Sequence, residues 1–431
     1  MISNSASDID SNVDLLEGVA LHELFEAYER RFSQATASIP PRQPWIESDR
    51  GEILRVIERC LGITDAWIPE IRATVALVSD RRGFSVDHLQ STSWPGCHGA
   101  AYLYFPEVPA SDPSPVVILA CGHGAGGKQA ESYRLMAEHL ARNGIAVLVP
   151  DNIGQGERAP MGHSNPVQIF GCGLSVQGLI VMETIGWLNW LRAQSRFDSS
   201  RIAAIGNSGG GTLTMLLGAL RRDELAVVSS SGYPSTFEFI ARKEKKHCHC
   251  NLLPHIVGEL EMWQVYGCIA PKPLFLFQGR GDPLFPGDLL LHTARKVSTA
   301  YERRNAAPHF RACLVDGAHS WDAARRRMLA EYLCETLGVP FDEARIVEPA
   351  NEPALAPCFQ AWPGNARNVD EIARDLSGRT SGAAHLWEVF KPPVSMIAED
   401  HPVLRSDARQ ILAQFEAFLP PPVKGRSPSS C

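Results

Sequence analysis

The chain lacks any apolar run near the ~20 residues that a membrane-crossing helix needs. Its amino terminus, MISNSASDIDSNVDLLEG, also lacks the basic segment and apolar core of a secretory signal. The expectation is a cytoplasmic protein with no membrane partner. Charge of one sign is not in large excess: 41 Lys and Arg against 48 Asp and Glu give a formal charge of -7. The cations are scattered rather than striped, which argues against a nucleic-acid partner. A disulfide framework is missing too, because the 11 cysteines are odd in number and irregular in spacing. One dense cluster of metal-ligand types exists, His247-Cys248-His249-Cys250. Adjacent residues do not easily surround one ion, and no second cluster has metal spacing, so this segment reads as a packed loop. No metal and no cofactor are expected.

What is present is a chain of 431 residues with 45% hydrophobic content, enough to fill a large core. The first part is helical in pattern, with apolar residues at Leu15, Leu16, Val19, Leu24, Phe25, Tyr28 and Phe32, then at Ile53, Leu54, Ile57 and Leu61. From about residue 84 the segments FSVDHL and AAYLYF read as antiparallel strands. The rhythm then changes. VVILACG, a helical stretch closed by Gly144, and IAVLVP form a strand–helix–strand unit, and the alternation continues through RIAAI, LAVVSSS, PLFLFQG and RACLVDG. Such alternation implies an α/β fold with a mostly parallel central sheet covered by helices on both faces. The expected division is a helical amino-terminal segment (1–82), a catalytic domain (83–338) with a candidate lid insertion at 234–270, and a Pro-rich extension (339–431) ending in a disordered tail.

GNSGG fits G-x-S-x-G around Ser208, between strand RIAAI and an apolar helix. By chance this chain would contain the pattern roughly 0.2 times, so the five letters alone decide little. Context and partners must decide. A serine held at a sharp strand-to-helix turn needs flanking glycines for steric reasons, and its hydroxyl needs a base oriented by an acid. In folds of this kind the acid and the base follow the serine in that order. Asp282, in GRGDPLFP, follows an apolar strand, and His319, in DGAHSW, follows the next one. Taken singly, Asp282 reads equally as a turn residue before Pro283 and His319 as a loop histidine. Their joint order with Ser208 favours the catalytic reading. Donors for a tetrahedral oxyanion are expected from the Gly209 N–H and from the loop CGHGAGGK, where the Ala125 N–H is the choice. Asp151 and Glu157 follow IAVLVP at the same sheet edge and are expected to brace their loop against Arg158.

Five ordered motifs, HGAGGK, PDNIGQGER, GNSGGGT, GRGDPLFP and GAHSW, resemble the α/β-hydrolase family, more narrowly its acetyl xylan esterase-like and dienelactone hydrolase-like branch. The resemblance implies Ser208 as nucleophile, His319 as general acid and base, Asp282 as its orienting carboxylate, and the Gly209 and Ala125 amides as the oxyanion hole. It implies a serine hydrolase acting on a small-molecule carboxylic ester, either a short acyl ester or a lactone. The same triad can also act on a peptide, a thioester or an activated carbon–carbon bond, and a non-catalytic binding protein on this scaffold is the reading from another class. The terminal extensions, dispensable for a minimal hydrolase, are candidates for shaping the pocket or a homo-oligomer interface. The aromatics of the insertion, Tyr233, Phe237, Phe239, Trp263 and Tyr266, are more readily core packing than a lid surface.

Overall fold

The computed structural model describes residues 33–34, 36–163, 169, 172–242, 247–251, 253–346 and 354–378. The apolar pattern from Leu15 to Phe32 and the tail expected to be disordered lie outside these residues. Helix α1 (Glu47–Leu61) buries Ile53, Val56, Ile57 and Leu61, the stripe that its three-and-four spacing dictates. Gly62 ends it in the left-handed conformation at φ 71°.

The helical reading of residues 1–82 requires a correction. Arg72–Arg81 forms strand β1, which pairs antiparallel with β2 (Phe84–Thr92) in a hairpin. The valines, leucine and threonine of TVALV favour an extended chain, and Gly83, at φ 89°, supplies the positive φ of the tight connection. Strand β3 (His98–Pro106) pairs antiparallel with β2.

The parallel part then follows the expected alternation. In chain order come β4 (Ser114–Ala120), α2 (Glu131–Arg142), β5 (Ala146–Pro150), α3 (Val176–Arg192), β6 (Phe197–Asn207) and α4 (Gly209–Leu220). After β7 (Val227–Ser231) come two short helices, α5 (Phe237–Arg242) and α6 (Met262–Gly267), then β8 (Leu274–Gly279), α7 (Gly287–Arg303), β9 (Phe310–Val315) and α8 (Ala323–Leu337). The nine strands form one sheet in the order β1-β2-β3-β5-β4-β6-β7-β8-β9. The β3–β5 pairing is antiparallel, and every pairing from β5 to β9 along this order is parallel. Every residue of β4, β5, β7 and β8 is buried, as strands covered on both faces must be. One face packs Met136 and Leu140 of α2 with Leu329 and Leu333 of α8. The other packs α1, α3 and α4, including Ile57, Leu179 and Leu217.

The insertion between β7 and β8 contributes to that second core. Tyr233, Phe237, Phe239 and Tyr266 are buried and Trp263 is half-buried. The Tyr266 hydroxyl lies 2.8 Å from Ser230 Oγ, so its polar tip is satisfied within the core. The described carboxyl-terminal residues lie against the antiparallel end of the sheet. Tyr102 Oη donates to the Ala356 carbonyl at 2.8 Å and Gln90 Nε2 to the Cys358 carbonyl at 2.6 Å. Helix α9 (Val369–Ser377) buries Val369 and Ile372. No helix among the described residues is long and apolar enough to cross a membrane.

Candidate active site

Ser208 stands between the last residue of β6 and the first of α4, at φ 58° and ψ -123°. A side chain is rarely tolerated there, and such a conformation costs of order 1–3 kcal/mol. The neighbours explain how it is held. A β-carbon on Gly206 would overlap the Gly210 carbonyl, and one on Gly210 would overlap the Ala120 carbonyl. Glycine at both positions lets helix and strand approach closely. The Ser208 N–H donates to the Ser231 carbonyl at 2.9 Å, and the Ser208 carbonyl accepts from Thr212 at 3.1 Å.

Asp282 and His319 emerge from the loops after β8 and β9 and meet: His319 Nδ1 is 2.6 Å from Asp282 Oδ2. The Asp282 side chain is 1% exposed and that of His319 16%, so the pair is sheltered but open on the imidazole side. The other carboxylate oxygen, Oδ1, accepts from the amides of Leu284 at 2.8 Å and Phe285 at 3.0 Å. The Phe285 ring stacks on His319 with centroids 5.5 Å apart. The imidazole is thus fixed at one nitrogen and on one face. Gly232, at φ 56°, makes the approach possible, because a β-carbon there would stand 2.9 Å from His319 Cε1. Ser208 and His319 therefore flank the same Ser231–Gly232 turn. Among the described residues no hydrogen bond joins Ser208 Oγ to His319. Such bonds are often long without substrate and tighten on binding. Sequence reasoning missed the loop's support: Trp321 Nε1 donates to Ser231 Oγ at 2.8 Å, and Arg325 Nη1 donates to the Ala318 carbonyl at 2.6 Å.

Gly209 opens α4, where unpaired backbone N–H groups and the helix dipole favour developing negative charge. The loop after β4 passes beside it. The Gly122 N–H donates to Tyr133 Oη at 2.7 Å, and a β-carbon on Gly122 would stand 2.9 Å from Ser208 Cβ. Burial pushes the Tyr133 phenol well above its ordinary pKa, so it stays protonated. Ala125 lies exposed on the turn two residues beyond His123. The nearest heavy atom to a side chain built on Gly209 is His123 Nδ1, at 3.1 Å.

The loop is anchored differently from the sequence expectation. Asp151 and Glu157 do brace it, but their carboxylates pair with Lys128 rather than with Arg158. Lys128 Nζ donates to Asp151 Oδ2 at 2.6 Å and also to Glu157. Arg158 instead clamps Glu183 of α3, at 2.6 and 2.9 Å, and reaches only the Asp151 backbone carbonyl, at 3.0 Å. A planar guanidinium suits the two-pronged partner on the helix, and the compact ammonium fits between the two loop carboxylates. Burial alone would drive Lys128 toward neutrality, yet Asp151 and Glu157 more than offset it and hold its pKa above the ordinary value. Both side chains of the Lys128–Asp151 pair are fully buried. Lys128→Met should therefore strand a buried carboxylate and lower stability by about 3–5 kcal/mol. Urea unfolding followed by tryptophan fluorescence checks this, and a loss below about 1 kcal/mol would contradict it.

The cluster read as a packed loop has partners elsewhere. Cys248 and Cys250 meet His123 and His163, and among the described residues these four are the set of His, Cys, Asp or Glu whose donor atoms converge as metal ligands would. His247 does not belong to it.

Residues 100–302 match the sequence model of the dienelactone hydrolase family. A protein of Bacillus subtilis (strain 168) named "Putative hydrolase YtaP" is 21% identical over 249 residues, covering 55% of this chain and 83% of that one. Among solved structures, the methylesterase BT1017 superposes with a TM-score of 0.59 at 18% identity, over 75% of this chain and 72% of that chain. A glucuronoyl esterase from Solibacter usitatus gives 0.52 at 15% identity, over 67% and 92%. At such identities the structural likeness speaks to the fold, an α/β-hydrolase one.

Proposed function

We propose that this chain, whose residues 100–302 match the dienelactone hydrolase family model, hydrolyses a small-molecule carboxylic ester through an acyl-enzyme on Ser208. The observation that carries the reading is the shared turn: a serine held at positive φ and a carboxylate-oriented imidazole both pack against Ser231–Gly232. In this reading His319 Nε2 takes the Ser208 proton as Oγ attacks the ester carbonyl, and later delivers it to the leaving alcohol. Asp282 keeps the imidazole in the tautomer with Nδ1–H and stabilises the imidazolium that forms. The Gly209 amide, with the Ala125 amide from the loop after β4, receives the oxyanion. Water then attacks the acyl-enzyme by the reverse proton route. No cofactor enters any step.

The esters named for the structural neighbours, methyl and glucuronoyl esters, favour carboxylic esters over amides as the first class to try. The acyl group is proposed to be short. Turnover of p-nitrophenyl acetate, butyrate and octanoate tests this directly. Expected is a kcat/KM that falls as the acyl chain grows. Absence of turnover on all three, with hydrolysis of a thioester or peptide substrate instead, would move the reading to the alternative reactions of the same triad.

A further inference from the structure

We infer that His123, His163, Cys248 and Cys250 form a zinc site, a four-ligand centre that ties three loops together beside the nucleophile. The four donors come from separate places in the chain: the loop after β4, the loop after β5, and the short helical turn of the β7–β8 insertion. One donor atom from each residue lies within 4.8 Å of all the others. His123 Nε2 and His163 Nε2 are 2.9 Å apart, and Cys250 Sγ is 3.6 Å from either nitrogen of His123. A tetrahedral zinc with ordinary Zn–N and Zn–S bonds sets its ligand atoms roughly 3.3–3.8 Å apart. The Cys250–His123 separations fall within that range, and the His123–His163 one is a few tenths of an ångström shorter. Two thiolates and two imidazoles form the donor set that selects zinc among the common divalent ions.

The surroundings prepare the site in a second, independent way. His163 Nδ1 is 2.7 Å from the Ile153 carbonyl, so that nitrogen carries the proton and Nε2 turns its lone pair toward the cluster. A ligating histidine typically makes this hydrogen bond through its other ring nitrogen. The Asn251 N–H donates to the Cys248 carbonyl at 3.1 Å, closing the turn that presents both thiols to one side. The loops bearing His123 and His163 are held together before any ion arrives, because Asp151 accepts from the Lys128 amide at 2.7 Å and from the Glu157 amide at 3.0 Å. At the rim, Gln155 Nε2 is 3.4 Å from His123 Nε2 and Asn251 Oδ1 is 3.9 Å from Cys250 Sγ.

With four protein ligands the coordination shell is full, which makes the site structural rather than catalytic. Its effect on the reaction is by position. His123 Nδ1 is the neighbour of Gly209, and His123 begins the turn that carries Ala125. A bound ion fixes that turn and pins the insertion over α4, where Thr212 Oγ1 already donates to Asn251 Oδ1 at 3.0 Å. The metal site does not depend on the ester-hydrolysis reading, because metal content is measured without substrate.

The test uses the full chain without a polyhistidine tag, exposed to zinc chloride, dialysed into metal-free buffer and analysed by mass spectrometry for metals. The expected content is about one zinc per chain, the stoichiometry of a closed four-ligand site. It should fall at least about tenfold in the Cys248→Ser/Cys250→Ser double variant and in His163→Ala. Cys313→Ser, on β9 and outside the cluster, should keep its zinc. Cobalt in place of zinc should give the visible absorption of a tetrahedral thiolate complex. Should the variants fail to fold, the natural chain still decides the question: zinc should protect Cys248 and Cys250, but not Cys313, from alkylation by iodoacetamide. Absence of zinc from the natural chain, equal zinc in the double variant, or alkylation of Cys248 and Cys250 indifferent to zinc would each overturn the site and leave a hydrogen-bonded cluster.

Discussion

Ser208→Ala should lower kcat on p-nitrophenyl acetate by about a millionfold while leaving the protein folded. The size follows from what the hydroxyl does in the proposed mechanism. Ser208 holds the strained position between β6 and α4, and in the proposed mechanism the acyl group forms its covalent bond there. The residual rate would come from the Gly209 end of α4 and from binding alone. Stability should stay level or rise slightly, because alanine removes a polar group from a half-buried, strained position without disturbing the glycine contacts around it. Steady-state rates at high enzyme concentration, with a stopped or chemically inactivated control to exclude contaminating esterase, provide the measurement. A loss of less than a hundredfold would show that the serine is not the nucleophile.

Asp282→Asn is expected to cost about 10⁴-fold in kcat with little change in KM. The hydrogen bonds explain why so small a change should matter so much. Oδ1 of Asp282 accepts from two backbone amides, those of Leu284 and Phe285. An asparagine must keep its carbonyl oxygen there, since turning its NH₂ toward two N–H donors would leave them unpaired in a buried place. The NH₂ group then faces His319 Nδ1 and forces the imidazole to carry its proton on Nε2. A base protonated at that nitrogen cannot accept the serine proton. The variant should remain folded, since shape and amide contacts persist, and chemical denaturation should confirm this. An activity loss below about tenfold would mean that His319 is not oriented by this carboxylate.

How much of this was legible in the sequence differs from element to element, for physical reasons. The strands β4, β5 and β8 were readable because a strand covered on both faces must be apolar throughout, and the runs VVILA, AVLV and LFLF have no other use. The placement of Ser208, Asp282 and His319 just after β6, β8 and β9 was readable, because local pattern and chain order carry that information. Strand β1 was missed: its residues in TVALV are largely exposed, and an exposed edge strand leaves no apolar alternation to follow. The partners of Asp151 and Glu157 were misassigned because Arg158 is adjacent in sequence while Lys128, 23 residues before Asp151, arrives only through folding. The histidine and cysteine set was hidden for the same reason. Its ligands are spread over three loops, so no single segment shows metal spacing. Pairings set by side chains meeting across loops leave no periodic trace in the chain.

The most direct test of the account is the reaction of the natural chain with a fluorophosphonate probe, read by intact-mass and peptide mass spectrometry beside Ser208→Ala. A single adduct per chain is expected, located on Ser208, absent from the variant, and formed at a rate that falls in Asp282→Asn. An unlabelled chain that nevertheless hydrolyses p-nitrophenyl acetate, or an adduct on another residue that persists in Ser208→Ala, would contradict it.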